Sequence, residues 1–341
     1  MPAAREARDW ARSGGLHGIG DSLYTPFSGV DGDEIDLDAY RALVRHCVGD
    51  LGHPMLWLTS GIAEWWSLTI PEREQLLEIA VAEARAIDPA VVIQACTAAT
   101  SAKDAVELTR HAQEAGADIA YLQTPPMELH GGEGALRFFR YVADRTDIAL
   151  GVFNSPSSNY VLTPAEVARI AEEVPAVCAT KEGAFRPYWS KKLHALAPEL
   201  VIWECDLMVY RAGWLAEGIV TGAQLGTCGY LYETPEDKRY TTWFELFEAG
   251  DIGGAIEHAR VSGIDRFAED MGTWFTSYPG RPDYFTHWGS AFRYAAGVMG
   301  LPQGDYPESR PPQGILPDAA KEQLRRAVTR AGFACEPARV G

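Results

Sequence analysis

Val177-Cys178-Ala179-Thr180-Lys181-Glu182-Gly183 is a short β-rich apolar run that closes on a lysine and a glycine. Successive side chains on a strand point to opposite faces. If Lys181 faces one way, so do Ala179 and Val177, and Cys178 and Thr180 face the other. The run has seven counterparts. They are His17 to Thr25, Met55 to Thr59, Val91 to Cys96, Ile119 to Gln123, Ile148 to Phe153, Leu200 to Glu204 and Ile219 to Gly226. The lysine run is the sixth of the eight. Their near-even spacing, with helical patterns between them, predicts an α/β fold, a (β/α)8 TIM barrel.

The intervening helices declare their starts. Thr69-Ile70-Pro71-Glu72 and Thr163-Pro164-Ala165-Glu166 read as capping boxes with proline in the first turn, and Ser101 to Asp104 is the acidic variant. Leu76, Leu77, Ile79 and Ala80 keep a helical spacing that would cover the barrel. From Thr234 onward the pattern is helical only: Thr234 to Ala249, Asp251 to Met271, Tyr284 to Met299 and Pro317 to Ala331. The expected organisation is an N-terminal extension over residues 1–16, a barrel over 17–232 and a C-terminal helical extension over 233–341.

Composition bounds the partners. The 341 residues are 47% hydrophobic and 23% charged, which excludes disordered and fibrous classes. Lys and Arg number 30 against 47 Asp and Glu, a formal net charge of −17, so a grip on nucleic-acid phosphates is not expected. The six cysteines form no C-x-x-C pair and read as small hydrophobes in a reduced, cytoplasmic core. Met1 to Gly15 has no apolar stretch of a secretory signal, and no run of about 18 apolar residues predicts a membrane span. Ten tryptophans are the unusual number.

Barrel enzymes take their catalytic groups from the carboxyl ends of strands. Lys181 stands at such an end, above small apolar residues. Desolvation there disfavours the ammonium and lowers its pKa from about 10.4. A neutral amine can attack a ketone and form a Schiff base, an electron sink for C–C bond cleavage or formation. The competing reading is a surface lysine in a loop.

Several motifs together resemble the dihydrodipicolinate synthase and N-acetylneuraminate lyase superfamily, the class I pyruvate-type aldolases. They are Tyr24-Thr25-Pro26-Phe27, Ser67-Leu68-Thr69 with Glu72-Arg73, Gly116-Ala117-Asp118, Phe153-Asn154-Ser155-Pro156, Thr180-Lys181-Glu182, Gly300-Leu301-Pro302-Gln303-Gly304 and Arg310-Pro311-Pro312. The resemblance spans roughly Gly18 to Gly332. It implies a Schiff base between Lys181 and a 2-oxo acid, a homotetramer, and no metal or organic cofactor. It also implies substrate contacts from Thr25 and from the loop after the second strand.

The chain departs from the family pattern at the proton relay. The family's Gly-Thr-Thr-Gly-Glu is here Ser60-Gly61-Ile62-Ala63-Glu64, so Glu64 stays and both threonines are gone. The N–H groups of Gly61 and Ile62 could still hold a carboxylate. The family's fifth-strand tyrosine is Phe153, and the tyrosine lent by a neighbouring subunit falls near Met127. Positioned acid–base catalysis is typically worth about 10²–10⁴-fold, so other groups must supply it. Candidates near the mouth are Tyr24, Glu64, Tyr160, Tyr188 and His53. Tyr160, in the loop after the fifth strand, ranks first. Glu64 reads also as a loop anchor and His53 as a bottom-face residue.

Polar groups are replaced at the mouth by Trp65, Trp66, Phe153, Tyr160, Phe185, Tyr188 and Trp189. Such a pocket suits a flat, apolar acceptor. Arg186 is the cation placed to pair with a substrate carboxylate, or else a solvated loop charge. The branch of the superfamily with aromatic substrates is the hydratase-aldolases, which cleave benzylidenepyruvates to an aromatic aldehyde and pyruvate. The expected activity is therefore that of a lyase acting on a 2-oxo acid with an aromatic or apolar aldehyde partner. The alternatives are a Schiff-base dehydratase, decarboxylase or condensing enzyme, and a non-catalytic ligand-binding barrel.

Overall fold

The computed structural model describes residues 2–126, 131–158, 160–183, 188–204, 222–223, 228–275 and 288–333. Eight parallel strands carry the fold: β1 Gly18–Ser22, β2 Met55–Leu58, β3 Val92–Cys96, β4 Ile119–Leu122, β5 Ala149–Asn154, β6 Val177–Glu182, β7 Val201–Glu204 and β8 Gly222–Ala223. Each pairs with its sequence neighbour, and β1 pairs with both β2 and β8, so the sheet closes as an α/β, TIM-barrel-like fold. The helices following the strands are α1 Leu37–Arg45, α2 Ile70–Ile87, α3 Ala102–Ala115, α4 Gly131–Ala143, α5 Pro164–Glu173 and α6 Trp189–Leu196. Residues 205–221 and 224–227, on either side of β8, lie outside the described part.

Local chemistry sets the helix starts. Thr69 and Thr163 each accept from the N–H three residues on, and Glu72 and Glu166 reach back to complete capping boxes. Ser101 caps α3 from Asp104 N–H. Apolar residues on the outward parity of the strands, such as Leu56, Ile93, Leu122 and Val152, pack under the helices in one large cluster. Inward residues form a second cluster with Met55, Trp57, Tyr121, Phe153, Ala179 and Trp203. Gly151 belongs here for a steric reason: a Cβ on it would collide with the Tyr121 ring.

One parity expectation fails. The pairing of β5 with β6 shifts between Leu150 and Gly151, from Leu150↔Val177 to Gly151↔Ala179. Cys178 is the extra residue of this bulge. Val177 therefore packs with the outer cluster and Cys178 with the inner one. Beyond the bulge, Ala179 and Lys181 keep the inward face.

The first residues stop the bottom of the barrel. Ala4–Glu6, Ala7–Trp10 and Ala11–Gly15 are short helical turns. Ala7, Ala11 and Leu16 join the inner cluster, and Arg8 Nε donates to Val177 O at 3.2 Å. After the barrel come α7 Arg239–Glu248, α8 Ile252–Ser262, α9 Ile264–Phe275, α10 Trp288–Val298 and α11 Asp318–Arg330. The helix expected over Asp251 to Met271 is two helices, broken at Gly263, whose φ of +79° ends α8.

The connector between α10 and α11 buttresses the mouth. Tyr24 Oη donates to Pro302 O at 2.7 Å, and Tyr306 N–H to Phe27 O at 3.0 Å. Arg310 lies over the Phe27 ring, 4.5 Å from its centroid, and pairs with Glu72 at 2.8 Å. The connector thus fastens the loops after β1 and β2. No helix among the described residues is long and apolar enough to cross a membrane. Nor does any group of three or more His, Cys, Asp or Glu among them present a metal site.

Candidate active site

Lys181 sits at the carboxyl end of β6 and is only 4% exposed. Its Cα is in register with Phe153 on β5 and Trp203 on β7. Its Nζ lies 4.5 Å from the Trp57 ring centroid and 4.8 Å from that of Phe153. Those two rings meet edge to face at 5.0 Å and 82°, and Tyr121 packs on Trp57 at 5.7 Å. The amine is walled by aromatic faces from two strands, β2 and β5.

The walls also bring polar edges indoors. Trp57 Nε1, Trp203 Nε1, Tyr121 Oη and Gln94 Nε2 are buried, with no hydrogen-bond partner among the described residues. An unmet buried donor costs about 1–3 kcal/mol, so these are places where an acceptor-bearing ligand would gain. Above Tyr121 and Phe153 runs a polar chain. Gln123 Nε2 donates to Ser157 Oγ at 2.5 Å, and Ser157 Oγ donates to Ser155 Oγ at 3.0 Å.

The loop after β2 is held taut. Thr59 and Glu64 take left-handed conformations, φ +50° and +59°, uncommon for residues with a Cβ. Thr59 Oγ1 donates to Cys96 O at 3.0 Å, and Thr25 Oγ1 to Ala63 O at 2.9 Å. Ser60 and Ser22 hydroxyls contact one another. Gly61 and Ile62 lie buried between these ties. No hydrogen bond from their N–H groups to a described residue is present.

The proposed acid–base residues need correction. Tyr160 Oη donates to Glu166 Oε1 at 2.6 Å, which directs it to α5 on the outside of the barrel. That bond to a carboxylate holds the phenol above its usual range. Glu64 is a buried ion-pair partner: Arg293 Nη2 reaches its Oε1 at 2.7 Å, and Ser309 Oγ donates to the same oxygen at 2.7 Å. It anchors the loop to α10 and is not a free base. Thr25 likewise spends its hydroxyl on the loop, and Tyr24 on Pro302. Tyr188 is exposed. His53 is buried between Asp21 at 2.6 Å and Glu233 at 2.8 Å, behind β1.

Of the aromatic candidates, Phe153 is at the lysine. Trp65 is buried with the inner cluster, meets half-buried Trp66 edge to face at 6.0 Å, and has Arg73 at 5.6 Å from its ring. Arg186, Phe185 and Met127 lie outside the described residues. The residues that sequence reasoning passed over are Trp57, Trp203, Ser155, Ser157 and the buried cation Arg73. Arg73 donates to Ala98 O and Cys96 O, each at 2.7 Å, and burial pushes it down to about 10. Trp57 was readable: it shares inward parity with Met55 on β2.

Comparison with known proteins agrees with this architecture. The model of the dihydrodipicolinate synthetase family matches residues 16–224. A 4-hydroxy-tetrahydrodipicolinate synthase of Thermotoga neapolitana is 29% identical over 168 residues, 49% of this chain and 55% of that one. One from an Exiguobacterium species is 30% identical over 210 residues, 60% of this chain and 69% of that one. The chain thus spans little more than half the length of most of the curated relatives it matches. Among solved structures, the dihydrodipicolinate synthase of Aquifex aeolicus superposes with a TM-score of 0.76 at 21% identity, over 94% of this chain and 100% of that one. A prophage protein of E. coli K12, of the dihydrodipicolinic acid synthase family and in complex with pyruvate, gives 0.75 at 18% identity, over 93% and 99%. By the family match over more than half its length, the chain belongs to the dihydrodipicolinate synthetase family.

Proposed function

We propose that this protein is a class I, Schiff-base-forming lyase that acts on a 2-oxo acid with an aromatic or apolar aldehyde partner. The observation that carries the reading is Lys181, buried at the end of β6 inside walls of Trp57 and Phe153. Neutral Nζ attacks the keto carbon and a C–N bond forms. The carbonyl electron pair moves to oxygen. One proton passes from nitrogen to that oxygen and one comes from solvent, and the oxygen leaves as water. The product is a protonated imine, toward which the electrons of a neighbouring C–C bond can move.

The other residues divide the remaining work. Gly61 and Ile62 N–H groups hold the carboxylate on a loop that Thr25, Glu64 and Arg293 keep in place. Ser155 and Ser157 supply the hydroxyls for proton movement in place of the missing relay, and Gln123 orients Ser157 by donating to it. Trp65 and Trp66 offer flat surface to the apolar partner. We read the βα repeat as a complete (β/α)8 barrel, the protein as cytoplasmic, and the active form as a homotetramer by likeness to the family. No metal or organic cofactor enters this scheme.

Trapping tests it. Incubation with pyruvate and borohydride should add a reduced pyruvyl group to Lys181, read by peptide mass. The adduct should be absent from Lys181→Ala. If the unaltered protein gives no adduct with pyruvate or any other 2-oxo acid, the Schiff-base reading is wrong. Release of water or CO₂ without an aldehyde would select the dehydratase or decarboxylase alternative.

A further inference from the structure

We propose that the inner wall of β2, β3 and β4 is a carboxylate-recognition site formed by Trp57 Nε1, Gln94 Nε2 and Tyr121 Oη. It makes the enzyme select 2-oxo acids over plain ketones. The inference rests on the Schiff-base reading above and names the side chains that read its substrate.

These groups form one patch. Trp57 and Gln94 are Cα partners on adjacent strands, and the Tyr121 ring packs on Trp57 at 5.7 Å. The Trp57 ring centroid lies 4.5 Å from Lys181 Nζ. In a 2-oxo acid condensed on that nitrogen, the carboxylate carbon is two bonds away. The patch and the carboxylate therefore share one neighbourhood.

The hydrogen-bond balance says what the patch would take. Trp57 Nε1, Gln94 Nε2 and Tyr121 Oη are buried and meet no partner among the described residues. Trp65 Nε1 and Trp203 Nε1, of the same inner cluster, are in the same state. All of these atoms are donors. Against them, the unmet acceptor on the inner face of the described strands is Gln123 Oε1. A water molecule accepts two hydrogen bonds but must place two hydrogens of its own, so it leaves the deficit of acceptors where it was. A carboxylate brings about four lone-pair sites and no hydrogen. The Gly61 and Ile62 N–H groups fill part of these from the loop, and the patch fills the rest.

Charge points the same way. Arg73 is buried at the end of β3, where it donates to Cys96 O and Ala98 O, and it pairs with no carboxylate among the described residues. A buried cation without a counter-ion favours an anion in the adjoining bore. Burial raises the thiol of Cys96, the register partner of Tyr121, although Arg73 beside it favours the anion. Burial also holds Tyr121 well above its usual value, so the phenol stays a donor.

The test compares reductive trapping by cyanoborohydride of pyruvate and of hydroxyacetone, which keeps the ketone and lacks the carboxylate. Tyr121→Phe and Gln94→Met each remove donor groups and nearly keep the volume. Each should lower the second-order trapping rate with pyruvate by about 10- to 100-fold, the worth of a hydrogen bond to a charged group, and leave the hydroxyacetone rate unchanged. Neither should lose thermal stability, because the donors are unmet without substrate. Equal losses with both ketones would make the residues structural, and no loss with either would make them sites of bound water. Both outcomes overturn the inference while leaving the Schiff base standing. Nitrogen-labelled indole spectra of the unaltered protein decide the case in which a variant does not fold or hydroxyacetone is not trapped. The Trp57 Nε1 proton, assigned with Trp57→Phe, should shift downfield with pyruvate, and an unmoved signal overturns the inference. No adduct with any 2-oxo acid in the unaltered protein overturns the Schiff-base reading itself, and this inference with it.

Discussion

His53 shows what a single buried residue contributes. It hydrogen-bonds Asp21 through Nδ1 and Glu233 through Nε2, and both carboxylates are further held, by Tyr230 N–H and by Thr241. Burial alone would lower its pKa. The Asp21 and Glu233 carboxylates outweigh burial and raise it from 6.5 to about 9. The folded value lies above the unfolded one, so the imidazolium's stabilisation is complete below about pH 6.5 and is lost as pH climbs through about 9. Linkage makes this worth on the order of a few kcal/mol. Urea denaturation between pH 6.5 and 9.5 should show stability falling, and His53→Gln should flatten that slope. An unchanged slope in the variant would place the titration elsewhere. The sequence marked His53 as a bottom-face residue. Its partner Glu233 lies 180 residues away, so the pairing was not legible from local pattern.

The loop after β2 is the element on which the proposed site depends. Its ends are held in left-handed conformations, and such strain persists only where the surroundings over-determine it. Glu64 is the fixed end, through Arg293 of α10 and Ser309 of the connector. Removing one member of a buried ion pair typically costs about 3–5 kcal/mol. Arg293→Met should therefore lower the unfolding free energy by that order, read from the shift of the denaturation midpoint. If the loop positions the carboxylate of the oxo acid, KM should rise well before kcat falls in whatever folded fraction remains. Equal loss of both would mean the loop does not hold substrate. Strand and helix elements were readable because period-2 runs and capping boxes are local signals. Lys181 was readable because a strand end with inward parity is a local signal too. The bulge at Cys178 was not, since Val177, Cys178 and Ala179 are all small and apolar, and either face accepts them. Tyr160 misled because loop position alone does not say that a hydroxyl will turn to Glu166.

At the scale of the whole molecule, the net charge of −17 acts on any anionic substrate before contact. The field of the surface repels a 2-oxo acid, while the groups proposed to bind it are buried. Salt screens the two unequally. The Debye length is about 30 Å at 0.01 M and about 8 Å at 0.15 M, so long-range repulsion fades over this range. The proposed contacts to Lys181 and to the Gly61 and Ile62 N–H groups would be made by buried residues at hydrogen-bond distance, and are screened far less. KM for the oxo acid should therefore fall as ionic strength rises from 0.01 to 0.15 M, with kcat unchanged. Steady-state kinetics at constant pH with a neutral salt would measure it. A KM that rises with salt would mean that exposed cations draw the substrate in, and that the acidic surface is not what the substrate meets first. The outcome decides whether binding is governed by the average charge of the molecule or by the few buried donors that its strands and loops bring together.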